Sequence, residues 1–302
     1  MPGGAPGAPA GAPVNWDTVP EHDAEAGDIA FARKRLGQSA GASGIGCSLY
    51  RVRPGARQMP VHSHGDEEEI FFVLDGAGLS WQDESACAVG AGDTVVHRPD
   101  SAAHTFLAGT EGLSLLAFAS GSETSLTWLP RAGVMWAGPR WVPLDSPHPF
   151  TAEAAAGPLE RPEPGPRPAN VVALAGVDPT PFPGAVLRAT GVAAGSVKAG
   201  LNHVTLPAGA AGAPPHCHAL EEELFVVLEG GGTLKLGGDE HPLRAGDVVA
   251  RAPSTAVPHS IRAGADGITY LAYGTRVAGD SVYYPEQGKI RLRGLGVEID
   301  AP

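Results

Sequence analysis

Two clusters of histidine and glutamate sit 154 residues apart in this chain of 302 residues. The first is His62, His64 and Glu69, with His104 further on. The second is His216, His218 and Glu223, with His259 further on. Imidazole nitrogens and carboxylates are ligands that divalent first-row metals accept. Three imidazoles and one carboxylate, present twice in the same order, point to a metalloprotein with two sites. Histidines two apart on an extended strand project to one face. That parity groups His62 with His64 and His216 with His218. It turns Ser63 and Cys217 the other way, so Cys217 is not read as a ligand.

Strands must bring these groups together. Cys47–Val52, Glu69–Leu74, Leu79–Gln82, Thr94–His97, His104–Leu107 and Leu113–Ala119 all read as strands. Glu69 shares its face with Phe71 and Val73, while Ile70, Phe72 and Leu74 take the other face. Apolar residues on both faces predict a strand buried on both sides. Asp75-Gly76 reads as the turn that ends it. His104 comes from a later strand opposite the first pair, and a closed barrel makes those strands meet.

The second half repeats this plan. Gly46, Gly55, Pro60, Gly92 and Pro99 match Gly200, Gly209, Pro214, Gly246 and Pro253 at one offset, which grows by one just before His259. A repeat this regular implies duplicated folding units. Short strands between turns, without intervening helices, predict an all-β sandwich or barrel.

Length allows two domains of roughly 150 residues. The expected organisation is a disordered leader over 1–13, domains over 14–156 and 169–302, and a Pro-rich linker over 157–168. Within these, Phe31–Arg35 reads as a short strand or turn, and Thr151–Ala156 as a helical turn. Trp128, Trp136 and Trp141 are expected to pack on a barrel or between the domains. Lys289–Pro302 is expected to add an edge strand.

Net charge is −12, which disfavours a nucleic-acid surface as partner. No basic cluster or long apolar run suggests a membrane. The leader lacks the pattern of a secretory signal. Three scattered cysteines, Cys47, Cys87 and Cys217, make no disulfide framework and fit a reducing cytoplasm.

The stretch Gly55–Gly76 resembles the first motif of the cupin superfamily. Gly92, Asp93, Pro99 and His104 resemble its second. Gly209–Gly230 with Gly246, Asp247, Pro253 and His259 repeat both. The chain is thus similar to bicupins, which implies two tandem jelly-roll (double-stranded β-helix) barrels. Two departures stand out. Ser101 and Thr255 stand where the family has glycine, and one extra residue precedes Pro99 and Pro253. The resemblance implies that His62, His64, Glu69 and His104 bind one metal and that His216, His218, Glu223 and His259 bind another. Fe(II), Mn(II), Ni(II), Cu(II) and Zn(II) all suit such ligands, one ion per domain.

Other polar residues are weighed on their context. Glu67, Glu68, Glu221 and Glu222 read first as solvated carboxylates, with a general base among them as the sharper alternative. His97 and its counterpart Arg251 read first as exposed side chains near the barrel rim, and are the candidates for holding a substrate carboxylate as the sharper alternative. His203 reads as a core or surface residue, with support of a metal ligand as the alternative. His22, His148 and His241 read as surface residues.

The leading functional expectation is an O2-dependent dioxygenase acting on a small organic acid, phenol or dicarbonyl compound. The first alternative is a decarboxylase or isomerase of a small acid or sugar. The second is a non-catalytic bicupin that binds a small ligand. Bicupins that decarboxylate oxalate resemble this chain in carrying the same ligand set in both barrels, but they are longer. Ureidoglycine aminohydrolases depart from the His-x-His pattern, and gentisate dioxygenases lack the glutamate. A homodimer through edge strands is expected.

Overall fold

In the computed structural model, residues 12–42, 44–120, 126–137, 140–142, 147–182 and 184–301 are described. Residues 1–11 of the expected leader and the side chain of Trp141 lie outside the described set.

The first half contributes β1 (Val14–Asn15), β2 (Glu21–Ala26), β3 (Ile29–Lys34), β4 (Ile45–Val52), β5 (Ser63–His64) and β6 (Glu69–Gln82). It continues with β7 (Ser85–Gly90), β8 (Asp93–His97), β9 (His104–Ser120), β10 (Leu126–Leu129), β11 (Val134–Ala137) and β12 (Arg140–Val142). The second half holds β13 (Val171–Ala173), β14 (Thr180–Phe182), β15 (Ala185–Arg188), β16 (Ala199–Leu206), β17 (Cys217–His218) and β18 (Glu223–Leu236). It ends with β19 (Asp239–Arg244), β20 (Asp247–Arg251), β21 (His259–Thr275), β22 (Ser281–Tyr284), β23 (Lys289–Leu292) and β24 (Val297–Asp300). Short helices α1 (Leu36–Ser39), α2 (Pro149–Ala155) and α3 (Thr190–Ala193) interrupt the strands.

Each half builds the same pair of sheets. One large sheet runs β13-β8-β6-β9-β4-β3-β2, with β7 on β6; the other runs β1-β20-β18-β21-β16-β15-β14, with β19 on β18. Smaller sheets β5-β10-β11-β12 and β17-β22-β23-β24 complete them. The result is two jelly-roll barrels. Register agrees between them: Arg33 pairs with Tyr50 where Leu187 pairs with Val204. The duplication therefore extends into β10–β12 and β22–β24, whose sequences no longer show it.

Two short strands cross the expected 14–156 and 169–302 division. β1 pairs with β20 of the second barrel, and β13 pairs with β8 of the first. Strands of two or three residues carry no apolar pattern that would assign a partner; the open sheet edge nearby takes them. The 157–168 segment is also bound rather than free. Gly165 N–H donates to Ala86 O at 2.9 Å, and Arg161 Nη1 donates to Ala108 O at 3.0 Å. Within it, Arg167 also holds the Asp93 carboxylate with two bonds of 2.8 and 2.7 Å.

The expected turn at Asp75-Gly76 is corrected. β6 continues through it, with register shifts between Val73 and Asp75 and between Gly76 and Gly78. A Cβ on Gly76 would lie 2.3 Å from Gly112 O, and φ there is +81°, so the bend requires glycine. The two strands expected over 104–119 are likewise one, β9. A glycine inside a bent strand looks like a turn in sequence.

Burial follows strand parity. Phe71 and Val73 fill the first barrel, and Phe225 and Val227 the second. Ile70 and Phe72 share a cluster with Leu224, Val226 and Tyr273 between the barrels. Phe118 stacks on Tyr273 across that interface, with ring centres 5.1 Å apart. The second face of each central strand is thus dried by the other barrel, which is why both faces are apolar.

Candidate metal centres

Backbone pairing sets the ligand histidines side by side. His62 and His104 donate N–H to each other's carbonyl oxygen at 3.2 and 2.8 Å, and His216 and His259 do the same at 3.1 and 2.8 Å. β5 and β17 then carry His64 and His218. Glu69 and Glu223 begin β6 and β18.

The four side chains of each set converge. Glu69 Oε2 lies 3.0 Å from His104 Nε2, 3.3 Å from His64 Nε2 and 3.4 Å from His62 Nε2. Glu223 Oε2 lies 3.0 Å from His259 Nε2, 3.4 Å from His218 Nε2 and 3.8 Å from His216 Nε2. The donor atoms of His62, His64 and Glu69 lie within 4.8 Å of one another, as do those of His216, His218 and Glu223, so each group could hold a metal ion. Cys217 is in no such group among the described residues.

Hydrogen bonds at Nδ1 leave Nε2 facing each centre, the usual arrangement behind a ligating imidazole. His62 donates to Pro60 O at 2.7 Å and His216 to Pro214 O at 2.8 Å. His64 meets Thr127 Oγ1 at 3.1 Å, and His218 meets Asp280 Oδ2 at 2.7 Å. Apart from the close approaches within each cluster, His64 Nε2, His259 Nε2 and Glu223 Oε2 are buried without a hydrogen-bond partner among the described residues. Such atoms are costly unless something satisfies them, and a cation would.

Electrostatics prepare the same state. Burial pushes Glu69 up, but His64, His104 and His62 outweigh it and hold the carboxyl well below its ordinary range. Glu223 is pushed up by burial and brought down to about 2 by His259, His218 and His216. Burial lowers His104 and His216 to about 4. His64 is lowered by burial yet raised overall by Glu69 and Glu67.

The surroundings differ between barrels. The first centre opens on a cavity of about 670 Å³ whose lining includes His62, His64, Glu69, Arg33, Tyr50 and Trp136. The second opens on about 180 Å³ lined by His216, Glu223, His259, Leu187, Val204 and Tyr270. Arg33 and Tyr50 were not legible as cavity residues, because their strands carry no motif. The available signal was the repeat itself, whose copies differ in polarity at 33/187 and 50/204.

His97 and Arg251, the candidates for holding a substrate carboxylate, are not in the lining of these two cavities. The His97 ring lies flat on His104, with centres 3.5 Å apart. Burial and His104 hold its pKa well below the ordinary value. Arg251 is buried behind His259, and its Nη2 donates to Val257 O at 3.0 Å. Both sit on the strand beside the glutamate, opposite Glu69 and Glu223.

The acidic neighbours are not solvated either. Glu68 is fully buried and accepts from Ser196 Oγ at 2.6 Å, Val197 N at 2.9 Å and Ala199 N at 3.1 Å. Glu222 accepts from Gly44 N at 2.8 Å. Each therefore binds the loop of the other half, contacts of more than 100 residues that sequence spacing does not reveal. Glu221 pairs with Arg293, and Glu67 lines the first cavity, 3.3 Å from His64 Nδ1. His203 stacks on Phe72 between the barrels, away from either centre. His148 is exposed, as expected of a surface residue, and is also in the lining of the first cavity. Trp136 also lines it, and both Trp136 and Trp128 are exposed.

The departures from the family pattern lie in the loop before the last histidine. Asp100 and Ser254 take positive φ there, and the extra residue of the second copy is absorbed by Ala256 at φ +53°. Left-handed backbone in these residues costs about 1 kcal/mol each, and His259 still reaches Glu223.

Two barrels, each with a converging histidine and glutamate set, define a candidate two-centre metalloprotein. The Cupin domain model matches residues 48–118 and 202–271. A deletion mutant of Bacillus subtilis oxalate decarboxylase is similar at TM-score 0.61 and 17% identity, over 93% of this chain and 81% of that one. Lactobacillus farciminis oxalate decarboxylase in complex with formate is similar at TM-score 0.61 and 16% identity, over 91% and 89%. No curated protein matches. The chain belongs to the cupin superfamily as a bicupin. The structural likeness, at these identities, speaks for the fold.

Proposed function

We propose that this chain is a metal-dependent bicupin enzyme that decarboxylates a small organic acid in its first barrel. The observation that carries the reading is the geometry of the first centre. Four donors converge on one point, and one side of that point opens into a cavity large enough for an organic substrate. His62, His64, Glu69 and His104 would hold one ion, and His216, His218, Glu223 and His259 a second. Fe(II), Mn(II), Ni(II), Cu(II) and Zn(II) all remain candidates. When bound, such an ion supplies Lewis acidity toward substrate oxygens and, where redox-active, electrons.

The residues of the chain do the rest. Nδ1 bonds fix His62, His64 and His104 of the first centre, and the apolar barrel wall keeps water from it. In the reaction, the bond from carbon to carboxylate breaks, CO2 leaves, and the carbon takes a proton. Glu67, in the cavity wall beside His64, is placed to carry that proton. The fold's likeness to oxalate decarboxylases supports decarboxylation over the dioxygenase reading, which an apolar metal cavity would also accommodate. The enzyme is read as cytoplasmic, supported by three free, buried cysteines. Among the described residues no helix is long and apolar enough to cross a membrane. A homodimer is supported by the open edge strand β24, where Val297 and Ile299 are exposed.

The test is elemental analysis of the purified protein, followed by CO2 release and O2 uptake on a panel of organic acids. CO2 release with matching loss of acid, in air and under argon, supports decarboxylation. Turnover that consumes O2 stoichiometrically would replace it with the dioxygenase reading. Absence of metal would sink both.

A further inference from the structure

The two cavities differ most at one cross-strand pair. Arg33 and Tyr50 line the first, and at the same register Leu187 and Val204 line the second. Resting on the reading of the first barrel as the reacting one, we propose that Arg33 receives the carboxylate of an organic acid that carries an apolar or aromatic body. The second cavity lacks this cation and has room for far less.

Three observations carry the assignment. First, the Arg33 guanidinium is held in place: Nε and Nη2 donate to Ser48 Oγ at 3.1 and 2.9 Å, and its carbon stands 5.1 Å from the centre of the Tyr50 ring. Nη1 has no partner among the described residues. A planar guanidinium fixed on one edge presents its remaining N–H groups at no further ordering cost, and carboxylate is the anion whose geometry it matches. Second, the guanidinium is not taken up by a carboxylate of the chain, although Glu67 and Glu69 line the same cavity. No ion pair to Arg33 or Arg35 is formed among the described residues, and Arg35 stands at the mouth of the same cavity. An arginine in no direct ion pair remains available to an incoming anion.

Third, the cavity is larger than a two-carbon diacid needs. Its volume of about 670 Å³ lies within the range that buries a drug-sized ligand. Ile45, Met59, Leu129, Trp136 and Phe150 form apolar walls around the polar strip. A substrate with a carboxylate at Arg33 and an apolar body along these walls uses both features. Oxalate would use only one.

Calorimetric titration of the full chain with benzoate and 3-phenylpropionate, and with their neutral amides, tests this without reference to turnover. Each acid should bind at least about tenfold more tightly than its amide, the value of a charge-assisted hydrogen bond. Arg33→Gln should lose that preference while metal content and melting temperature stay as in the unmodified protein. Arg33→Lys should keep part of it, since lysine retains the charge without the fork. Inorganic phosphate and oxalate should bind more weakly than 3-phenylpropionate. Equal binding of acid and amide, unchanged affinity in Arg33→Gln, tighter binding of phosphate, or no binding of any acid overturns the proposal. Glu69→Ala separates it from the metal reading. Acid binding that persists there and still depends on Arg33 supports the carboxylate site even if the metal assignment fails. Metal binding that survives with no acid preference rejects only the carboxylate site.

Discussion

Arg33 and Tyr50 pair across β3 and β4, with the guanidinium carbon 5.1 Å from the centre of the phenol ring. Their counterparts, Leu187 and Val204, pair at the same register in the second barrel. One duplicated frame thus presents a cationic wall beside one centre and an apolar wall beside the other. Both centres keep the same ligand geometry, so the barrels differ in what can approach the metal position rather than in how an ion would be held.

Removing one carboxylate at a time should separate the two centres. Glu69→Ala and Glu223→Ala are each expected to lose about one metal equivalent, because three neutral imidazoles bind less strongly than three plus an anion. Only Glu69→Ala should abolish turnover. Unchanged metal content in both variants, measured by elemental analysis, would reject the ligand assignment.

The metal-free protein should lose stability in acid. In the folded state burial holds His104 and His216 at about 4, whereas the unfolded chain takes up protons at histidine below about 6.5. Between those values the unfolded state binds more protons, so stability falls as pH drops from about 6.5 to about 4. Glu223, held at about 2, extends the loss below the ordinary carboxylate range. His64 is raised and acts oppositely: its contribution is present below the unfolded value and is lost as pH rises through the folded one. Urea midpoints of chelator-treated protein should therefore be lower at pH 4.5 than at pH 7. Identical midpoints would contradict this balance.

The wall of the first cavity hangs on a buried ion pair. Pro149 and Phe150 of α2 line the cavity, and Glu153 of the same helix pairs with Arg57, both fully buried. Arg131 approaches Glu153 at 3.1 Å, and Asp28 holds the other side of Arg57 at 2.7 Å. Glu153→Ala leaves a buried guanidinium short of its partner and should cost about 3–5 kcal/mol. The measured quantity is the unfolding free energy in urea. A loss under about 1 kcal/mol would mean that α2 is held mainly by Phe150 against Phe31.

The barrels should unfold together. Glu68 of the first half satisfies Ser196, Val197 and Ala199 of the second from a position with no exposure. Glu68→Ala strands those donors in the interface and should cost several kcal/mol, each orphaned group adding about 1–3. It should also split the single unfolding transition into two, as read by calorimetry. A variant that melts in one step at the original temperature would show that Ile70, Phe72 and Leu224 couple the barrels without the carboxylate.

Cys47 should resist alkylation in the native protein. It is buried between the barrels, and burial pushes its thiol pKa far up, so little reactive thiolate forms. Mass spectrometry after iodoacetamide should show modification of Cys47 only once urea unfolds the chain; rapid native labelling would indicate that the interface opens.

Much of the frame was legible in the amino-acid order because short-range rules govern it. Two-residue parity placed His62 with His64 and chose Glu69 as the member of its acidic triplet that shares a face with Phe71 and Val73. The regular offset between halves revealed the duplication. Glu68 was misread as solvated because its partners lie more than 100 residues away and form no pattern with it. His97 and Arg251 lie outside the lining of both cavities, which parity alone does not reveal, because a strand residue's face does not say whether that face meets a cavity or the back of another ring. Gly76 was read as a turn because a bulge inside a bent strand demands the same backbone freedom.

What the chain's own order decides is local: alternation along strands, the need for glycine at positive φ, and the residue types able to ligate. These depend on neighbours in sequence and repeat with the duplication. What the folded molecule adds is long-range. β1 closes the second barrel and β13 the first, Glu68 and Glu222 reach across the interface, and Arg33 sets a cation in the cavity of one of two equal frames. Such contacts depend on which sheet edges and faces meet once both barrels have formed, and no spacing along the chain encodes that meeting.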